Sequence, residues 1–442
     1  MTILSLFRRP LALIALASST LLLALPAQAE VVFQDVTSPK GIHAWLVEDY
    51  AVPIISIRFA FEGGTTQDPA GKEGMANLLT TLFDEGAGDL DSDSFQIALD
   101  DAGAEMSFAA DTDAVYGSMR MLADHRDEAV GLLKLALEAP RFDQNPIDRM
   151  RAQLVTGIIA AAQDPSTEAK RQWATALYGD HPYARRSEGT PETLAGITAD
   201  DLRQMYKAMF AREKLHVGIV GAIDAEAAAA MLDTLFGELP ETPDLVPVAD
   251  VAPRLGQDLR VDYDLPQTAI YMAYPGVERN DPAYFAASLM THILGGDTFG
   301  SRLTTEVRVK RGLTYGISAN LGNQIHSQAL VIATSTRADR AAQTLEVIQQ
   351  VVADMAENGP TAEELAAAKK YLIGSYPIDQ LGSSTSIANT LVGLQRWDLG
   401  IDYVTRRGDL IDAVTIDDVK AMAKKLLTVQ PAILQMGPAP AS

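Results

Sequence analysis

The first constraint on the fold is that the chain repeats itself. Residues 53–61 alternate between apolar and polar side chains and precede Gly63 and Asp68. The same order recurs around Gly276 and Asp281, in each case 213 positions later. Alternation with a period of two indicates a half-buried strand. Two copies of one unit predict two homologous lobes rather than a single long irregular domain.

The ends of the two halves also agree. Thr198 and Thr415 each precede a helix whose third residue is acidic, and each helix leads to a short apolar strand. We therefore predict an α+β fold of two homologous lobes, each a mostly antiparallel sheet packed with helices. The predicted boundaries are an N-terminal lobe at 30–240, an extended Pro-rich linker at 241–253 and a C-terminal lobe at 254–442.

The N-terminus has the layout of a secretory signal peptide. Arg8 and Arg9 precede an apolar run at 11–25, and the small residues Ala27 and Ala29 follow it. A membrane anchor is the alternative, but the run is shorter than the roughly 20 residues of a spanning helix. We predict cleavage of residues 1–29, a periplasmic or secreted location and no membrane attachment afterwards.

Charge and cysteine content exclude some function classes. The chain has 36 basic and 58 acidic residues and a formal net charge of −22, which argues against a nucleic-acid partner. It has no cysteine, so disulfides and thiolate chemistry are both excluded.

Residues 72–85 carry apolar side chains at helical spacing, which predicts a helix with one buried face. Here the sequence resembles the insulinase/pitrilysin family, including the mitochondrial processing peptidases, whose active members carry His-x-x-Glu-His on this helix. Two His four apart can bind Zn²⁺, and the Glu serves as general base. The resemblance places Asn77, Thr80 and Thr81 at those positions, and Gly157 at the family's downstream Glu ligand. None can replace a ligand or base, so the resemblance implies no metal and no cofactor in this chain.

The histidines of the chain do not offer a replacement zinc motif. His125 precedes Glu128 by three positions, but Ala129 stands where a second His would be needed. The others are isolated in sequence, which favours structural roles; they are His43, His181, His216, His292 and His326.

The second half retains the closest match to the family, at 294–303 and 307–315. In active members an Arg and a Tyr seven positions apart bind the scissile carbonyl from the far lobe or from a partner subunit. The resemblance assigns these roles to Arg308 and Tyr315, with Arg311 as the alternative arginine. Spacing alone favours the alternative of a surface Arg and a Tyr packed on a strand edge, whereas the flanking Arg-Gly-Leu-x-Tyr context favours the catalytic roles.

Three glycines occupy the place of a longer glycine-rich substrate loop in the non-catalytic subunit of the processing peptidases. They are Gly295, Gly296 and Gly300. They are candidates for substrate binding, and the alternative is a simple turn between helices.

A degenerate zinc site beside a retained Arg/Tyr pair implies the non-zinc subunit of a heterodimeric metallopeptidase, inactive alone. Its partner would be a homologous zinc-bearing subunit, and the two would enclose a chamber for peptide substrates. One alternative is an inactive structural or peptide-binding scaffold of the same fold. The other is an autonomous hydrolase with unrecognised ligands.

Overall fold

The computed structural model describes residues 32–296 and 300–439, so the predicted signal peptide lies outside the described residues. The first half contains β1 (Gln34–Thr37), β2 (His43–Glu48), β3 (Ile54–Glu62), α1 (Met75–Thr80), β4 (Gly86–Ala87), β5 (Leu90–Asp91), α2 (Ser92–Asp101), β6 (Glu105–Ala110), β7 (Ala114–Leu122), α3 (Arg126–Glu138), α4 (Gln144–Ala161), α5 (Pro165–Tyr178), α6 (Pro191–Ala195), α7 (Ala199–Met209), β8 (Leu215–Gly221) and α8 (Ala225–Phe236). The second half contains β9 (Asp258–Asp262), β10 (Gln267–Pro275), α9 (Tyr284–Gly295), β11 (Thr314–Gln324), β12 (Ser327–Arg337), α10 (Ala341–Asn358), α11 (Ala362–Gln380), α12 (Ser384–Arg396), α13 (Tyr403–Asp412), α14 (Ile416–Leu427) and β13 (Ala432–Gly437).

The two large sheets have the same topology. The first has the order β1-β2-β8-β3-β7-β6, and the second has β9-β13-β10-β12-β11, which repeats the first without its β1 edge. Only the pairs β2/β8 and β9/β13 are parallel, and they occupy equivalent positions in the two sheets. The prediction of two homologous α+β lobes with mostly antiparallel sheets is therefore confirmed.

The capping pattern read from the sequence is present at both ends of the duplication. The Thr198 side chain accepts a hydrogen bond from Asp201 N–H, while the Asp201 carboxylate accepts from Thr198 N–H. Thr415 and Asp418 form the same reciprocal pair before α14. Each box satisfies two backbone donors that a helix start leaves unpaired.

Each sheet packs one apolar face against helices of its own half. Phe59 and Phe61 of β3 lie fully buried against Phe236 of α8. Ile270 and Met272 of β10 belong to a second, separate core. The duplicated pattern of alternating residues thus produces two hydrophobic cores.

The opposite face of each sheet is covered by a helix from the other half. Helix α12 packs on β3 and β8, and the Gln395 side chain hydrogen-bonds both the N–H and the C=O of Val217. Reciprocally, Trp173 and Leu177 of α5 pack with Leu434 of β13. The two halves are therefore interlocked by an exchange of helices.

The segment between α8 and β9 contains no helix or strand and is fixed by hydrogen bonds. The carbonyl of Ala249 contacts His181 Nε2 at 2.8 Å, and Val251 N–H donates to His326 O at 2.8 Å. These contacts agree with an extended connection, while the exact domain boundaries stay a prediction. Among the described residues, no helix combines the length and apolarity required to cross a bilayer.

One helix differs from its prediction. The helix expected at 72–85 is limited to α1, Met75–Thr80, because the backbone after it tightens into turns. The amides of Thr81 and Leu82 donate to carbonyls three residues earlier, at 3.2 and 3.1 Å, rather than four. At the other end, Gly74 has φ 92°, a left-handed conformation that excludes it from a helix and favours glycine.

Candidate functional site

The start of α1 is fixed by a buried carboxylate. Asp68 is only 3% exposed, and its two carboxylate oxygens accept hydrogen bonds from Gly74 N–H and Ala76 N–H, each at 2.8 Å. Burial raises the pKa of Asp68 to about 7, against the opposing effect of these amides. The Asp-Pro that the sequence repeats thus positions the short helix.

The four positions that the resemblance assigns to a zinc site do not fit a zinc ion. The Asn77 amide donates to Ser187 O at 2.6 Å, and the hydroxyls of Thr80 and Thr81 donate to carbonyls of their own helix at 2.9 and 2.8 Å. Gly157 lies on α4 with no side chain and with open space where one would project. These groups are neutral and already hydrogen-bonded, whereas zinc takes imidazole, thiolate or carboxylate ligands.

Within residues 32–296 and 300–439, the His, Cys, Asp and Glu side chains form no group of three or more arranged for a metal ion. The three histidines nearest the junction of the halves have other contacts. His181 contacts a backbone carbonyl, His326 pairs with Asp250 at 3.0 Å, and His216 lies 3.6 Å from Glu62.

Tyr315 lies on a bulge at the start of β11. The pairing of β11 with β12 shifts register between Thr314 and Ile317, so Tyr315 and Gly316 form the irregular part of the strand. A bulge of this kind re-aims a side chain, and bulges are enriched next to active sites. Tyr315 is 89% exposed, which is unusual for a large aromatic side chain in a strand.

Buried threonine hydroxyls brace this bulge from below. Thr334 Oγ1 donates to Gly316 O at 2.8 Å and lies 2.8 Å from Thr314 Oγ1. Thr314 Oγ1 in turn accepts from Gly316 N–H at 3.1 Å, and Thr336 Oγ1 donates to Leu313 O at 2.6 Å. Polar groups that are buried and satisfied in this way hold the backbone in one arrangement.

Arg308 lies in a π-helical turn, Thr304–Val309, that is hydrogen-bonded to the same strand start. Leu313 N–H donates to Val307 O at 3.0 Å, and Gly312 N–H donates to Arg308 O at 2.9 Å. Single π-helical turns occur frequently at functional sites. The structure therefore brings the segments of Arg308 and Tyr315 together, and Arg308 is half-buried.

Arg311, the alternative arginine, is engaged by Glu306. Its guanidinium donates to the Glu306 carboxylate at 2.6 Å and to the Glu306 carbonyl at 2.8 Å. Lys310 contacts the same carboxylate at 2.6 Å, and hydrogen bonds from Lys310 and Arg311 lower the pKa of Glu306. An Arg311 that bound substrate would first have to leave this pair.

The three candidate glycines differ in their surroundings. A Cβ on Gly295 would meet Ala319 Cβ at 2.7 Å, so this position permits close packing of α9 on β11. A Cβ on Gly296 would meet His292 Nδ1 at 2.4 Å, whereas Gly300 has open space and borders a cavity of 480 Å³ that Arg311 also lines. The geometry gives Gly295 and Gly296 a packing role, and substrate contact at any of the three stays a prediction.

The sequence analysis missed a hydrogen-bonded cluster between the halves. Tyr183 O–H donates to the Asp113 carboxylate at 2.8 Å and accepts from His326 N–H at 2.9 Å. Ile325 N–H also donates to Asp113, at 3.2 Å. These residues lie on three separate loops, so no local pattern could have grouped them.

Comparisons with known proteins agree with this architecture. Residues 196–372, which include Arg308 and Tyr315, match the family model described as the peptidase M16 inactive domain. The chain is a homologue of the M16 peptidases. This finding confirms the resemblance to the insulinase/pitrilysin zinc peptidases.

Three proteins that are similar to this chain differ in how they are described. The non-peptidase homolog YmxG of Helicobacter pylori is 26% identical over 75% of this chain and 77% of its own length. An uncharacterized zinc protease of Streptomyces coelicolor is 25% identical over 86% of this chain and 84% of its own. A crystal structure of a peptidase M16 inactive domain from Pseudomonas fluorescens has a TM-score of 0.86 and 29% identity, covering 93% of this chain and 99% of that one.

Proposed function

We propose that this M16 homologue is the non-zinc subunit of a heterodimeric metallopeptidase, inactive by itself. The observation that carries the proposal is Tyr315, a solvent-exposed phenol on a bulge that buried threonines brace. The exposed ring is accessible to a partner chain or a peptide, and a phenol O–H suits the oxygen of a scissile carbonyl. In this proposal Arg308, whose π-helical turn is hydrogen-bonded to the segment before Tyr315, supplies a second donor.

The partner in this proposal is a homologous chain that carries His-x-x-Glu-His and holds the zinc. The two chains would enclose a chamber, and extended peptides would bind there. The inactive-domain match and the name of the Helicobacter pylori relative support an M16 subunit without its own catalytic metal. The signal-peptide layout supports a periplasmic or secreted assembly without a membrane attachment.

A metal and activity measurement tests the proposal. The mature chain, purified alone, should hold less than stoichiometric zinc and cleave no peptide, since Asn77, Thr80, Thr81 and Gly157 supply no ligand or base. Mixed with an exported homologue that carries the zinc motif, it should form a complex that cleaves peptides faster than that homologue alone. One tightly held zinc per chain in elemental analysis would contradict the account and favour an autonomous hydrolase.

A structural or peptide-binding scaffold is the second candidate, favoured by the description of the Helicobacter pylori relative as a non-peptidase. The same experiment separates the two. A scaffold would form a stable complex, or bind peptides, without changing the rate of hydrolysis by the zinc-bearing chain.

A further inference from the structure

The face of the first sheet that α12 covers contains a row of polar side chains, away from the zinc-site positions and from the Tyr315 bulge. On β3, Ser56 and Arg58 point to this face, because they alternate with the buried core residues Ile55, Ile57 and Phe59. In the ladder with β7, Ser56 stands opposite Arg120 and Arg58 stands opposite Ser118. The sheet thus places two arginines and two hydroxyls side by side.

A cavity of 270 Å³ lies between this row and the start of α12. Ser56, Arg58, Ser118 and Arg120 line it on the sheet side, and Asn389 lines it from the helix. The amino end of α12, 13 residues long, adds the positive end of a helix dipole. The volume is just below the roughly 300–1,000 Å³ of a drug-sized pocket.

Arg58 is a half-buried cation that forms no direct ion pair among the described residues, although the charge of Asp111 acts on it. Its guanidinium lies 4.6 Å from the centroid of the Tyr116 ring, and in the described part of the chain it forms no ion pair with a carboxylate. The nearby Asp111 is already engaged, since it accepts from Tyr116 O–H at 2.8 Å and pairs with Arg396 at 3.4 Å. Burial lowers the pKa of Arg58, but a guanidinium remains charged at neutral pH.

The Ser56 hydroxyl independently indicates that the cavity binds a ligand. It is only 5% exposed, and within the described residues its Oγ has no hydrogen-bond partner. A buried hydroxyl without a partner is uncommon in folded proteins and calls for an explanation such as a ligand or water. A χ1 rotation would present this hydroxyl to the cavity that the residue lines.

The charge of the cavity is opposite to that of the whole protein. Glu105 pairs with Arg120 at 3.6 Å, which leaves Arg58 as the uncompensated charge of the lining. The chain as a whole has a net charge of −22. A positive cavity in an acidic protein selects an anion, and a guanidinium fork with adjacent hydroxyls suits a planar carboxylate.

We propose that this cavity binds a carboxylate, and that the carboxylate is the C-terminal group of a peptide. The second step rests on the proposed function, in which this chain contributes peptide-binding surface. Arg58 binds the two carboxylate oxygens, Ser56 and Asn389 donate to them, and the amino end of α12 adds favourable electrostatics. The site lies on the first sheet and is distinct from the segments of Arg308 and Tyr315.

The test is calorimetric titration of the mature chain, without partner or zinc, at low ionic strength. Two short peptides of identical sequence are compared, one with a free C-terminal carboxylate and one with an amide, and inorganic phosphate is titrated separately. We expect the amide to bind at least about tenfold more weakly, because it has one acceptor oxygen instead of two and no negative charge to pair with the Arg58 guanidinium. Arg58→Gln should remove that difference, and Asn389→Leu should reduce it from the helix side.

Arg337→Gln is the matched control. Arg337 is an exposed arginine at the end of β12 that pairs with Asp339, so the substitution removes the same charge from a distant strand and should leave binding unchanged. Equal affinity for the two peptides, or unchanged affinity in Arg58→Gln with an unaltered thermal transition, would overturn the proposal. Binding of phosphate but of neither peptide would overturn the peptide assignment. Since no partner is present, failure of the heterodimer proposal is seen separately, in the reconstituted hydrolysis.

Discussion

Threonine hydroxyls are important in both parts of the candidate site, the zinc-site positions and the bulge at Tyr315. At the positions that the resemblance assigns to a zinc site, the hydroxyls of Thr80 and Thr81 donate to the carbonyls of Asn77 and Leu78. Around Tyr315, by contrast, Thr314 and Thr334 use theirs to hold an irregular strand in place. The same residue type thus offers no zinc ligand at the first position and stabilises the backbone at the second.

The bulge makes a first prediction. Thr334→Val keeps the side-chain shape but removes one of the two threonine hydroxyls that donate to the Gly316 carbonyl, together with the hydrogen bond between Thr334 and Thr314. We expect the free energy of unfolding to fall by about 1–3 kcal/mol, which urea titration measures. Thr234→Val is the control, since the Thr234 hydroxyl is exposed and bonds only within α8; its change should stay within about 0.5 kcal/mol. Equal stability of both variants would mean that the threonine does not brace the bulge.

The raised pKa of Asp68 predicts how the stability of the fold depends on pH. Burial raises its pKa in the folded chain to about 7, above the ordinary value of 3.8, so the folded state binds the proton more tightly than the unfolded state. The stabilisation from this proton is complete below pH 3.8 and is lost as pH rises through about 7.

Asp68→Asn removes this titration while keeping an oxygen acceptor for the start of α1. The wild type should therefore lose more thermal stability between pH 5 and pH 8 than the variant does, as measured by calorimetry at both pH values. Parallel pH profiles of the two proteins would show that Asp68 is ionised throughout.

At the level of elements, the exchange of α5 and α12 depends on close approach between helix and strand. A Cβ on Gly218 would lie 2.8 Å from the Ala388 carbonyl oxygen and 2.9 Å from Leu391 Cβ, so α12 packs directly on the β8 backbone. Gly218→Ala should reduce the free energy of unfolding by about 1–3 kcal/mol through overpacking.

Gly131→Ala is the control for that substitution. Gly131 lies in α3 with nothing within 4 Å of the position that an added methyl group would take, so alanine should stabilise the helix by roughly 0.5–1 kcal/mol. Thermal unfolding of both variants gives the comparison. Stabilisation by Gly218→Ala would mean that α12 does not pack at that distance.

The sequence predicts the strands and caps of this protein well because those signals are local. Alternation at 53–61 identifies β3, and the acidic residues after Thr198 and Thr415 identify the starts of α7 and α14. Periodicity shows which face of α12 is apolar but not which sheet that face covers, so the exchange of helices was not predictable. The short length of α1 was not predictable either, because the apolar spacing continues through residues that form tight turns.

The candidate site also combines features that the sequence predicts with features that depend on contacts between distant segments. The positions of Arg308 and Tyr315 follow from the family resemblance, but the bulge that exposes Tyr315 depends on hydroxyls from the neighbouring strand β12. Arg58 and Arg120 come together only through the β3/β7 register, and the cavity above them needs a helix from the other half. Contacts between distant segments leave no local pattern.

For the whole molecule, the duplicated pattern forms the fold without zinc ligands at the four positions that the resemblance assigns to them. The two sheets and their cores form from the repeated pattern, whereas Asn77 and Thr80 lie on a six-residue helix that Asp68 holds in place. The packing of the two cores therefore does not depend on zinc ligands at these positions. The second half contains the exposed Tyr315 on its braced bulge, and in the proposed function this tyrosine acts on a carbonyl in the active site of a partner chain.

The most direct test of this account is the rate of peptide hydrolysis by the complex reconstituted with a zinc-bearing homologue, comparing wild type with Tyr315→Phe. The substitution keeps the ring and removes only the hydroxyl, which in the proposed function stabilises the carbonyl oxygen as it gains charge. The account predicts a loss of about 10²- to 10³-fold in kcat with little change in peptide affinity, while Tyr263→Phe, an exposed tyrosine elsewhere, has no effect. Full activity of the Tyr315→Phe complex, with complex formation and the partner's zinc unchanged, would contradict it.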